Sequence, residues 1–91
     1  MKKNNKIIIT MDSIHYILKA EKILKSQKLD IDLIPVPKEI NSNCGNAIEI
    51  RDENIIDKVI NILNKKNFKF KIFKFDDSLN FYLEIGGKND R

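Results

Sequence analysis

The sequence predicts an α+β fold in the order β-α-β-β-α-β, a four-stranded antiparallel sheet with two helices on one face. Three observations carry this prediction. The apolar residues recur at helical spacing in two stretches and alternate, or run unbroken, in four others. A short acidic or hydroxyl side chain stands just ahead of each helical stretch, where a helix N-terminus needs an acceptor. The stretch from Pro35 to Asn46 holds both prolines, one of three glycines and the only cysteine, and so separates the two strands on either side of it.

Taken in order, Lys6-Ile-Ile-Ile-Thr-Met11 reads as a short buried strand. Asp12 and Ser13 offer N-cap side chains to a helix reaching about Gln27, with Ile14, Ile17, Leu18, Ala20 and Leu24 as its apolar stripe and Lys19, Lys22 and Lys25 outward. Leu29 to Ile34 alternates apolar residues with Asp30 and Asp32, a half-buried strand that Pro35 ends. Ala47 to Arg51 resumes as a strand with Ile48 and Ile50 on one face. Asp52 caps a second helix whose stripe runs through Ile55, Ile56, Val59, Ile60, Ile62 and Leu63 and ends near Lys65 and Lys66. Phe68 to Phe75 is a fourth strand whose alternation slips between Ile72 and Phe73, the mark of a bulge. Phe81, Leu83 and Ile85 alternate once more, as a short fifth strand or a docked tail.

This order is the ferredoxin-like split βαβ pattern. A chain of 91 residues makes one domain, spanning residues 1–91, with residues 1–5 and 86–91 expected to fray. Hydrophobic residues at 42% and charged residues at 33% exclude a disordered chain. The apolar run after the basic start is too short for a signal peptide, and none approaches the roughly 20 residues that cross a bilayer, which points to the cytoplasm and no membrane partner. A net charge of +4, spread among acidic residues, describes a soluble surface rather than a dense phosphate-binding patch.

A single cysteine makes neither an internal disulfide nor, alone, a metal site. The topology predicts that the Cys44 loop, the first helix start at Asp12 to His15 and the Lys65 to Asn67 junction share one end of the sheet. There the free N–H groups of a first helical turn, around Ser13, favour an anion, and Lys38, Lys65 and Lys66 add positive potential. His15 can accept a proton if its ring turns toward the loop, and Gly45 allows the chain to turn sharply beside the thiol. Free cysteine is also commonly a small buried hydrophobe, and on residues alone an inert Cys44 stands beside a reactive one.

Ile34-Pro-Val-Pro-Lys-Glu-Ile40 followed by Ser42-Asn-Cys-Gly45, preceded by Ser13 and Ala20-Glu-Lys22, resembles the small bacterial domain of unknown function described as putative selenium/sulfur carrier-like. The resemblance runs from Ile7 to about Leu63, and its most specific part is the Pro-x-Pro loop leading into Cys-Gly. Relatives usually carry arginine where Lys38 stands, which here keeps the charge but loses bidentate recognition of an anion. The resemblance implies that Cys44 holds a persulfide or selenopersulfide for transfer between donor and acceptor proteins. It implies an accessory carrier or sulfurtransferase-like protein rather than a turnover enzyme, with no cofactor. The Cys-Pro-x-Pro arrangement of better-known sulfur carriers is missing.

The competing reading is a ferredoxin-like module that binds a ligand, a protein or RNA and keeps a structural cysteine. Phe68 to Phe75 interleaves phenylalanine with lysine, but no RNP1-like signature accompanies it, so nucleic acid is not expected. Phe68, Phe70 and Ile72 are expected to pack on the helices, while Lys69, Lys71 and Lys74 guard an edge strand. His15 with Cys44 falls short of the four ligands that zinc takes. No glycine-rich phosphate loop occurs. Glu21, at the border of the first apolar stripe, is expected to pair with a lysine rather than act as an acid or base. A homodimer is left open, since ferredoxin-like domains often join their sheets.

Overall fold

The computed structural model describes residues 7–40 and 45–88. Strands β1 (Ile7–Thr10), β2 (Ile31–Pro35), β3 (Asn46–Ile50), β4 (Phe70–Asp76) and β5 (Phe81–Lys88) form one sheet in the order β2-β3-β1-β4-β5. Each neighbouring pair is antiparallel. The expected four-stranded ferredoxin-like sheet is therefore corrected to five strands, while the α+β class stands. The fifth strand forms because the chain reverses tightly after β4. Asp76 accepts hydrogen bonds from the Ser78 hydroxyl at 2.7 Å, the Ser78 amide at 2.9 Å and the Leu79 amide at 3.2 Å, and Asn80 takes a positive φ of 54°. The strand also extends through Gly86 to Lys88, into the stretch expected to fray.

Helices α1 (Ile14–Ser26) and α2 (Ile56–Lys65) cover one face of the sheet. Ile17, Ala20 and Leu24 of α1 and Val59 and Leu63 of α2 meet Ile7, Ile9, Ile31, Ile48, Ile50, Phe70 and Ile72 in one buried cluster. Ser13 caps α1, its hydroxyl accepting from the Tyr16 amide at 3.4 Å. Asp52 caps a short 3-10 turn, η1 (Glu53–Ile55), that leads into α2 instead of capping α2 directly. Both helices end alike: the Leu29 amide reaches back to Leu24 O at 3.3 Å and the Phe68 amide to Leu63 O at 3.0 Å. Lys28 (φ 62°) and Asn67 (φ 61°) take the left-handed position between helix and buried closing residue. Phe68 is thus a helix stop rather than the first residue of β4.

Two residues expected in the α1 stripe, Ile14 and Leu18, are 41% and 46% exposed, because the contact face centres on Ile17, Ala20 and Leu24. The edge-guarding role expected for the β4 lysines is also corrected, since β4 lies between β1 and β5. Lys74 instead meets Glu53 at 2.8 Å. The register shift between Ile72 and Phe73 occurs as expected, but the additional residue, Ile85, belongs to β5, and β4 pairs with β1 without interruption. The slip in β4 marks a change of buried face. Phe70 and Ile72 turn to the helices, whereas Phe73 joins a second cluster on the other face.

Candidate functional site

That second cluster positions the Cys44 loop. β1 is buried along its whole length, because its neighbours cover both flanks and Ile8 points away from the helices. Ile8, Ala47 and Ile40 are buried together there, with Ile34, Val36, Phe73 and Tyr82 packed against them. Ile40 is the only one of the three that comes from the loop, and it seals the sheet face opposite the helices.

Local hydrogen bonds fix the loop on either side of that contact. At its base the Val36 amide donates to Gly45 O at 3.1 Å, just beyond the Pro35 and Asn46 pair that ends the β2–β3 ladder. The Ile40 amide donates to Pro37 O at 3.0 Å, closing a turn with Lys38 and Glu39 at its exposed centre. The two prolines stiffen this approach by fixing φ. Gly45 is exposed, with nothing within 4 Å of the position a Cβ would take, so packing does not require glycine there. Cys44 falls on residues 41–44, outside the described residues.

Burial pushes the Tyr82 phenol above its ordinary value, and the negative charges of Glu39 and Glu49 push it in the same direction. Glu49 stands opposite Asp32 across the β2–β3 ladder, and Arg51 pairs with both, at 3.6 Å to Glu49 and in close contact with Asp32. One guanidinium therefore holds together two carboxylates that would otherwise repel.

The expected convergence at one end of the sheet holds for the backbone. β1 and β2 end there, and β3 and β4 begin there, so the α1 start, the β2–β3 loop and the α2–β4 junction share that end. Their side chains divide between the two faces. His15 is exposed in the first turn of α1, its ring edge-on to Tyr16 at 5.8 Å. The Ser13 hydroxyl is committed to its cap. Among the described residues no hydrogen bond or ion pair joins Ser13 or His15 to Lys38 or Gly45.

What α1 does meet is the α2–β4 junction, across a cleft of about 330 Å³. Tyr16 and Phe68 stand edge to face at 6.4 Å within it, and Lys19, Lys66 and Lys69 outnumber Asp12 on its walls. The cleft escaped sequence reasoning because it requires two helix ends to meet across the sheet. Tyr16 held the available signal, an aromatic outside the apolar stripe one turn into a helix. Glu21 pairs with Lys25 at 3.1 Å, the i, i+4 contact expected of it. Among the described residues there is no cluster of three or more metal-ligating side chains, and no helix is long and apolar enough to cross a membrane.

A family profile described as "Putative Se/S carrier protein-like" matches residues 6–74, which include β1 to β3, both helices, the Cys44 loop and most of β4. No curated protein and no solved structure matches the chain.

Proposed function

We propose, from the premise that this chain belongs to the Putative Se/S carrier protein-like family, that it carries sulfur or selenium on Cys44 between a donor and an acceptor protein. The Cys44 thiolate attacks the outer sulfur of a donor persulfide, R–S–SH. A new S–S bond forms at Cys44, the donor's S–S bond breaks, the donor leaves as R–S⁻, and the proton stays on the transferred outer sulfur. The product, Cys44–S–SH, passes its outer sulfur to an acceptor thiolate by the same exchange, and a selenopersulfide follows the same path. No external oxidant or reductant is consumed.

The observation that carries this reading is the loop fastened around the only cysteine of the sequence, tied at Val36–Gly45 and pinned at Ile40. A carrier needs its thiol held at a fixed place but not consumed internally. With no second cysteine, the bound sulfur is not lost to an intramolecular disulfide. Lys38, exposed in the loop turn, supplies positive charge for the thiolate, and Gly45, exposed beside it in the sequence, adds no side chain. Ser13 and His15 are assigned to the same end of the molecule as contributors to partner docking and proton exchange.

The experiment is intact-protein mass spectrometry after incubation with a persulfide-bearing donor, comparing wild type with Cys44→Ser. Wild type gains the mass of one sulfur atom, which dithiothreitol removes, and the variant gains none. Equal gain in both, or gain in neither, overturns the proposal.

A further inference from the structure

We propose that the chain forms a two-fold dimer through β5, joining two five-stranded sheets edge to edge. The two edges of the sheet differ. At β2, Pro35 lacks a donor, Asp30 and Asp32 bring charge, and Arg51 crosses to Asp32, all features that discourage another strand from pairing. At β5 an eight-residue edge strand contains no proline, and between Phe81 and Gly87 it has a single charged residue, Glu84.

The same strand is apolar where it faces solvent. Phe81 pairs with Asp76 and Leu83 with Lys74, on the side of the sheet that the helices cover over β1. The helices leave β5 bare: Phe81 is 46%, Leu83 40% and Ile85 54% exposed. β5 also lies beyond residue 74, where the family match ends, so it adds an edge to the matched region. An added strand with an apolar face and unpaired backbone groups is completed by another strand.

Charge selects both the occupant and the register. A two-fold axis through Leu83 sets Leu83 opposite its own copy, Phe81 opposite Ile85 of the second copy, and Tyr82 opposite Glu84. Apolar residues then meet apolar residues on one face, while each Glu84 carboxylate faces a phenol on the other, and no like charges oppose each other. Moving the axis to Glu84 sets two carboxylates face to face, and that register is disfavoured. In the Leu83 register the strand is thus complementary to itself, which makes a second copy of this chain its occupant.

Sedimentation equilibrium and single-cysteine cross-linking test the proposal. Wild type is expected to be dimeric at micromolar concentration and Leu83→Lys monomeric, with far-UV circular dichroism unchanged because the side chain is already half exposed. In a Cys44→Ser background, Leu83→Cys forms a disulfide-linked dimer under mild oxidation, because the axis sets that position against itself, whereas Phe81→Cys does not. Hydrogen exchange of the β5 amides slows as protein concentration rises. A monomer at every concentration, a dimer unchanged by Leu83→Lys, or equal cross-linking at positions 81 and 83 overturns the proposal.

Discussion

Ile40 packs with Ile8 on the face of the sheet opposite both helices, joining the loop that bears the only cysteine to the central strand. Ile40 is therefore part of the core on that face. Ile40→Ala is expected to lower stability by about 2–3 kcal/mol, toward the lower end for a buried isoleucine because a loop can partly collapse into the space. Urea denaturation measures the loss. The same variant should change the rate at which Cys44 is alkylated under native conditions, and an unchanged rate would show that the thiol is held independently of the Ile40 contact.

The Ser13 cap is long, at 3.4 Å. Ser13→Ala should cost about 0.5–1 kcal/mol, the weaker part of the range for N-caps. Thermal denaturation with far-UV detection checks this, and Ser13→Asp should recover the loss, since aspartate accepts the same amide and favours the helix N-terminus.

Lys28 and Asn67 both occupy a left-handed backbone position without being glycine. Lysine has less reason to be there, because it lacks the short polar side chain with which asparagine eases that conformation. Lys28→Gly is predicted to raise stability by about 0.5–1 kcal/mol and Asn67→Gly by less. Equal effects would contradict this account.

The β4–β5 turn should weaken in acid. The Ser78 hydroxyl, and then the Leu79 and Ser78 amides, hold the Asp76 carboxyl below its usual value of 3.8. Folding therefore lowers this pKa, so the contribution is present above the unfolded value and is lost as pH falls through the folded one. Asp76→Asn keeps an acceptor but removes the titration. Its urea midpoint should fall less than that of wild type between about pH 5 and pH 2.

Tyr82 moves the other way. Its folded pKa lies above 10.0, chiefly through burial and then through Glu39 and Glu49, so the stability it contributes is present below that value and is lost as pH rises through the folded one. In Tyr16→Phe, Tyr82 is the only tyrosine, and phenolate absorbance should rise with a midpoint above 10.0. Adding Glu39→Gln should lower that midpoint only in part, because burial is the larger cause.

Most of the elements and much of the inner face of the core follow from local patterns in the chain. Ile17, Ala20 and Leu24 at helical spacing, Ile48 and Ile50 in alternation, and Ser13 ahead of α1 are local patterns, and local geometry fixes which way such side chains point. The Pro-x-Pro and Cys-Gly loop was equally visible, down to the family its residues resemble. What lies beyond that periodicity comes from contacts between distant segments. Ile14 and Leu18 fit the α1 pattern but stay about half exposed, Phe73 turns to the second face because Ile40 and Tyr82 are there to meet it, and β5 takes its place by pairing with β4. Periodicity records how a segment would present its side chains, whereas burial depends on which distant segment arrives to cover them. The halves of the second cluster lie far apart in the chain, so nothing in either half announces the other.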